Sequence, residues 1–564
     1  TTQQLNEFDR IWLQFKKRNW ELNLGDIDIR QNTSYFLHFY KRLQGISFET
    51  KNTISSNSTN RLLVSGSIAK GKFTRNVFQG LEGNQGPYRL SGASNEFFFV
   101  VLAGTERVFI DGELLQRGED QDYVINYNTA EITFTPKRMI TKDSRIQVEF
   151  EYADRNFLNA NIYLADEINI NNRLNLRISA FNNSDAKNSP INQTLDAPQK
   201  QFLHDIGDSI NRAFYPVAQP DSFGIGKILY ARKDTNYNGI TEQIYVYDTT
   251  RDGDKYHLSF LSVGQGNGDY VPDFSGANGK VYKWIQPENG IKQGSFAPVA
   301  FLVTPKKQQI VSIGADYQIS KNTLLITDFA YSNYDVNTFS SLDKSNDGGY
   351  AAKLQLRNLH RLSQTKRWTL NTELEYEWVD ENFRPLERLR NVEFSRDWGM
   401  EIIPSPATEH VAGISFRLMD SVRHQVGYQF KTYQRSDGFS GFRQMVNYIT
   451  TAGGFRINAL INLTNSENSF QKGYFFRPLI DVSRRFPKLK NYMVGAIFSQ
   501  EKNLQRNKFT DTLSVLSFAF ETFSVYLRSD QSQWNKWGIT YFTRQDKTPV
   551  DRNFEHTDRS HNLT

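Results

Sequence analysis

Residues 455–464 read Phe-Arg-Ile-Asn-Ala-Leu-Ile-Asn-Leu-Thr. Phe455, Ile457, Ala459, Ile461 and Leu463 fall on one side of a two-residue period, and Arg456, Asn458, Leu460, Asn462 and Thr464, polar but for the leucine, on the other. A period of two places successive side chains on opposite faces of a strand, so this stretch predicts a ribbon with one apolar and one polar face. Trp368–Trp378 repeats the pattern: Trp368, Leu370, Leu374, Tyr376 and Trp378 oppose Asn371, Glu373, Glu375 and Glu377. So do Val311–Ile319, Gln425–Lys431 and Trp20–Leu24.

These strands are long, and from 308 to 546 they follow one another across short polar turns such as Ser320-Lys321-Asn322 and Asp420–Arg423. The main helix candidate is Gln201–Ala213. A long meander must hide its edges, and closure into a barrel hides them most completely. A soluble barrel, sandwich or propeller turns its apolar faces inward, whereas a membrane barrel turns them to lipid around a polar interior. Strand lengths near the ~9–11 residues that cross hydrocarbon favour the membrane form. So do wholly polar alternate faces and aromatics near strand ends, among them Trp368, Trp378, Tyr526, Trp534, Trp537 and Tyr541. The expected fold is all-β: a large antiparallel transmembrane β-barrel with a small inserted β domain and a long irregular insert.

Composition agrees with a large folded chain. The 564 residues are 38% hydrophobic and 14% aromatic, with net charge +6 spread over the length. A charge this dilute does not by itself argue for nucleic acid, which needs a concentrated basic face. There is no cysteine, which excludes disulfides, thiolate metal sites and cysteine nucleophiles. No run reaches the ~20 apolar residues of a membrane helix. The first residues, Thr-Thr-Gln-Gln-Leu-Asn-Glu, do not read as a signal peptide.

Spacing divides the chain into barrel strands at 1–82, a small β domain at 83–155, barrel strands at 156–182, an irregular plug, lid or docking insert at 183–305, and barrel strands at 306–564. The small domain is expected from short segments (Glu96–Leu102, Arg107–Ile110, Tyr123–Asn126, Glu131–Thr135 and Arg145–Tyr152) separated by turns. The last residues, His561–Thr564, read as the start of a further strand, so the barrel is expected to be truncated there.

Three stretches, Gln85–Gly92, Val101–Gly112 and Arg117–Thr135, resemble a module of large outer-membrane β-barrels of the Bacteroidota, similar to SprA, the barrel of the type 9 secretion translocon. Leu261–Tyr270 with Val281-Tyr282 is similar to such barrels too. The translocon is several times longer, so the resemblance implies a smaller relative or a fragment. It implies the cell outer membrane, a role in macromolecule translocation or assembly, and partners among other outer-membrane proteins or lipoproteins.

Candidate chemistry is sparse. Asp234, Asn236, Asn238 and Glu242, with Gly239, resemble the first half of a calcium loop, but Tyr245 stands where an EF-hand needs its bidentate acid. Calcium is therefore the one cofactor considered, against an ordinary polar turn. Glu373, Glu375 and Glu377 are spaced as paired carboxylates of a glycosidase would be, yet nothing marks one as desolvated. A solvated strand face explains them. Gly264, Gly266 and Gly268 precede Asp269–Pro272 rather than a helix, so they read as a turn and not a phosphate loop. His410 and His424 could be cross-strand neighbours but lack a third ligand. No catalytic residue is assigned and no enzyme is expected. The alternatives are a plugged docking barrel that recruits lipoproteins, or a soluble carbohydrate-active enzyme.

Overall fold

The computed structural model describes residues 11–68, 71–93, 99–141, 144–152, 157–191, 194–237, 239–273, 280–362, 368–400, 405–420, 423–487, 491–529 and 536–563. Contacts divide it into two compact units, one of 1–184, 308–334 and 345–564, the other of 185–307 and 335–344.

A 19-stranded antiparallel sheet dominates the first unit. In chain order its strands are β1 (Trp12–Lys17), β2 (Trp20–Gln31), β3 (Phe39–Ser55), β4 (Ser58–Ile68), β5 (Phe157–Ile170) and β6 (Leu174–Pro190). Then come β7 (Lys307–Ser320), β8 (Thr323–Asp335), β9 (Gly348–Arg361), β10 (Trp368–Val379), β11 (Glu409–Asp420), β12 (His424–Arg435) and β13 (Ser440–Ala452). The last six are β14 (Phe455–Glu467), β15 (Gln471–Phe486), β16 (Tyr492–Asn507), β17 (Phe518–Arg528), β18 (Gly538–Val550) and β19 (Asn553–Leu563). Each strand pairs with the next, as in Tyr448↔Ala459 and Ala459↔Ile480. The meander expected from the alternation is therefore present. The expected closure is not: among the described residues no ladder joins β1 to β19, and the sheet is open.

The two faces are distributed as the alternation requires, but inverted relative to a water-soluble fold. Apolar residues such as Leu374, Tyr376, Phe416, Val426, Tyr428, Phe442, Val446 and Phe523 are exposed. Polar residues on the alternate face, such as Ser312, Asp328, Glu377, Asn462, Thr464, Ser483 and Asn503, are buried. Of the aromatics expected near strand ends, Trp534 lies outside the described residues.

From β1 to β11 the connections alternate in length; beyond it 436–439, 468–470 and 551–552 are short as well. Those at 18–19, 56–57, 171–173, 321–322 and 453–454 are tight turns. Those between, at 32–38, 69–156, 191–306, 336–347, 380–408 and 508–517, are long. In an up-and-down meander every second connection lies at the same sheet end, so these six leave from one end.

The excursion after β4 is the small β domain. Lys72–Gln79 pairs along its whole length with Arg145–Tyr152, which also pairs with Arg107–Ile110. A second sheet joins Tyr88-Arg89, Glu131–Phe134 and Tyr123–Asn126. Leu90, Val108, Ile132, Ile146, Val148 and Phe150 fill the core between them. The domain thus begins near 72 rather than 83. Phe73, Arg75 and Val77 share one face of this strand and Thr74, Asn76 and Phe78 the other, neither wholly apolar, so only the partner strand decides where it belongs. Phe97 and Phe98, expected in its core, lie outside the described residues; Phe99 and Val101 are buried in it.

The second unit corrects the expectation of an irregular insert. It holds small sheets whose strands have two to eight residues, most of them too short for a readable period. Phe260 stacks on Tyr282 at 4.5 Å, with Tyr230, Tyr270 and Phe296 around them. The helix lies at α1 (Ala197–Asp205) instead of 201–213. Asp196 caps it in a reciprocal box with Gln199, and a separate 3-10 turn covers Ile210–Arg212.

Candidate functional site: a segment seated on the polar face

The connection between β10 and β11 does not run over the sheet edge into solvent. Residues 382–400 lie on the buried polar face and reach both early and late strands. Leu386 joins a cluster with Ile27, Ile29, Phe39, Phe181 and Ile310 from β2, β3, β6 and β7. Phe383 packs with Phe36, Ala330, Ala351 and Val379. Further along, α2 (Phe394–Asp397) and Trp398 pack on Val411, Tyr433 and Phe439. One short segment can touch β2 and β16 together only because the sheet curls around it.

Glycines on the wall make room for the segment. A Cβ on Gly349 would fall 2.2 Å from the Phe383 backbone nitrogen, and one on Gly441 would fall 3.2 Å from the Trp398 ring. At these positions the absent side chain is the seat.

Charge pairs then fix the register. Arg390 bridges Glu377 of β10 and Glu409 of β11, and Tyr35 donates to Glu377 at 2.8 Å. Lys353 sits over the Tyr35 ring. Asp397 is held by Arg443 of β13 and Arg477 of β15, and Arg396 by Glu393 and by Glu501 of β16. Breaking a buried pair of this kind by removing one partner costs several kcal/mol, because the other charge is left uncompensated. A cavity of about 350 Å³ lies among Tyr35, Lys353, Glu377, Arg390, Lys431 and Arg443.

The same segment meets the small β domain. Arg145 pairs with Glu393, Arg107 with Glu387, and Arg388 with Glu149. Burial and the neighbouring Arg396 push Arg145 down from arginine's ordinary range. A second chamber of about 370 Å³ is lined from the small domain, the segment and β16.

The residues singled out by sequence are placed as follows. All three glutamates of β10 face the covered side in ion pairs: Glu373 with Arg357 at 3.1 Å, Glu375 with Lys431, and Glu377 with Lys353 and Arg390. The calcium candidates are not brought together. Asp234 and Asn236 lie on Tyr230–Tyr237, and Glu242 pairs with Thr235 in a regular hairpin, which puts it on the opposite face. Asn238 lies outside the described residues. Among the described residues no three His, Asp or Glu side chains form a metal-sized group. Gly264 and Gly266 adopt left-handed φ, and a strand, Tyr270–Asp273, follows the third glycine. His410 and His424 sit at opposite ends of the β11–β12 hairpin, because His410 pairs with Gln434 and His424 with Asp420. They are not neighbours. No helix of the described residues is long and apolar enough to cross a membrane.

The seated segment itself was missed in the sequence. The signal available was the length of the connection and its content: Trp398, Phe383, Phe394 and the arginines at 384, 388, 390 and 396 are dense for a solvent loop.

A family model described as a domain of unknown function, DUF8818, matches residues 73–154, the small β domain. No curated protein matches the chain. Among solved structures, a chain titled "Bacterial polysaccharide outer membrane secretin" aligns at 10% identity with a TM-score of 0.25, over 72% of this chain and 88% of that one.

Proposed function

We propose that the chain is an outer-membrane β-barrel wall whose lumen is stoppered by residues 382–400, and that it serves macromolecule passage or assembly at that membrane together with partner proteins. The observation that carries this reading is the inverted sheet: exposed Leu374, Phe416, Val446 and Phe523 against buried Asp328, Glu377, Asn462 and Asn503. In water such a surface would aggregate, whereas in lipid it is the stable arrangement.

The dimensions support it. The outward residues of β10 run from Trp368 to Trp378, roughly 34 Å along the strand, and a tilt of ~40° reduces that to about 26 Å. A lipid-facing band of a membrane barrel is ~25 Å tall. Aromatics gather at the short-turn end, where Tyr492 and Trp537 pack at 5.4 Å and Trp368 stacks near His424. Membrane barrels keep short turns on the periplasmic side and long loops outside. On that pattern the small β domain faces the exterior. Kinship with the type 9 secretion barrels of the Bacteroidota is part of the same proposal.

The seated segment favours a second reading, a docking barrel whose lumen stays shut. Single-channel conductance in a planar bilayer separates the two. A passage barrel gives openings that increase when the segment is loosened; a docking barrel stays silent. Monomeric solubility without detergent would refute both.

A further inference from the structure

We propose that the 370 Å³ chamber between the small β domain, residues 390–400 and β16 binds a small anionic ligand, a carboxylate- or phosphate-bearing group held between Arg75 and Asn503. The volume lies in the ordinary range of ligand sites.

Two side chains that lack a hydrogen-bond partner among the described residues carry the inference. Asn503, on the polar face of β16, is 7% exposed and lines the chamber, yet its side-chain amide has no hydrogen-bond partner among the described residues. Buried side-chain amides normally find partners in the fold, so an unused one aimed into a cavity marks a place for another molecule. Arg75 lines the chamber too, from the outer strand of the small domain. Its cross-strand neighbour is Glu149, whose charge it faces; that carboxylate also pairs with Arg107 at 3.0 Å and Arg388 at 2.9 Å and accepts from Gln147 at 2.8 Å. The Arg75 guanidinium donates to none of the described residues.

Gln79 and Gln505 line the same chamber, and among the described residues their side-chain amides have no hydrogen-bond partner, so neutral donors line it with the charged one. Arg145 and Arg396 stand beside them, already committed to Glu393. The uncommitted donors select an acceptor-rich anion, since charge-assisted bonds to guanidinium are about twice as strong as neutral ones. Val77, Ile146, Met400 and Phe518 supply an apolar floor for whatever carries the charge. The ligand would bridge the small domain to the wall. This inference concerns the chamber alone and stands whether or not the sheet lies in lipid.

The test is isothermal titration of the full chain in detergent with three probes: D-glucuronate, inorganic phosphate and, as the uncharged control, D-glucose. The expected result is saturable binding of glucuronate or phosphate, whichever source of anionic oxygen the site takes, and none of glucose. Arg75→Gln should weaken it at least tenfold and Arg75→Lys should keep part of it, because lysine retains charge without the fork. If Arg75→Gln fails to fold, Asn503→Leu and Gln79→Ala provide the same decision, each with a several-fold loss. Absence of binding by both anions, equal binding of glucose, or anion binding indifferent to these variants would overturn the proposal.

Discussion

Trp398→Ala removes the largest anchor of the seated segment without touching a wall strand. Trp398 is 2% exposed and packs at 5.2 Å from the Tyr433 ring, with Phe394 beside it. Truncating a buried tryptophan costs ~3–5 kcal/mol. The wall keeps its ladders, so the loss falls on the seating equilibrium and raises the unseated population by about 10²-fold to a few thousandfold, at 1.4 kcal/mol per tenfold. The chain contains no cysteine, so one introduced thiol is a unique probe. Asn462→Cys suits the purpose: Asn462 is buried on the polar face and accepts from Arg443, the residue that holds Asp397. When opening and reclosing are fast, labelling by a water-soluble thiol reagent scales with the open population. Added to the Asn462→Cys background, Trp398→Ala should therefore raise the labelling rate of that single thiol by up to the same factor, with the strand signal in circular dichroism unchanged. A rate within about threefold of the Asn462→Cys parent would refute the seating argument.

Gly349→Val should unseat the other end of the segment, because the new side chain collides with the Asn382–Phe383 backbone; the same labelling assay reads it. In the second unit, the Lys255 ammonium holds the Asp248 carboxyl down to about 2. A lowered acid contributes stability that is complete above the ordinary carboxylate range and is lost as pH falls toward 2. Asp248→Asn should abolish that part of the acid-unfolding profile between about pH 4 and 2, followed by tyrosine fluorescence. Val446→Arg on the exposed face should cost ~2–4 kcal/mol in urea-driven refolding into vesicles if that face meets lipid, and near zero if it meets water.

The wall was legible because its signal is repeated many times over. Phe455–Thr464 and Trp368–Trp378 each state the period-two pattern over a whole strand, and their polar halves are too consistent for a dry core. The exposed and buried sets found in the structure follow that pattern. What period cannot state is partnership. Lys72–Gln79 follows directly on wall strands yet pairs with Arg145–Tyr152, a choice settled by the complementary core of the small domain. Most strands of the second unit, at two to four residues, are too short to show a period. The seated segment was hidden for a different reason. Its positions contact residues up to 350 away in sequence, as His38 meets the Arg388 carbonyl at 2.9 Å, and no local pattern encodes such a meeting. Glu377 was visible as one of three glutamates; its role as the anchor for Tyr35, Lys353 and Arg390 was not.

The central claim is that the exposed apolar face touches lipid tails. Spin labels placed one at a time along β13, from Phe442 to Tyr448, measure it directly by their collisions with oxygen, which concentrates in the bilayer, and with a water-soluble nickel complex. The account predicts a two-residue alternation in vesicles, with high oxygen access at 442, 444, 446 and 448 and low oxygen access at 443, 445 and 447. Nickel access equal to or above oxygen access at 446 would contradict it.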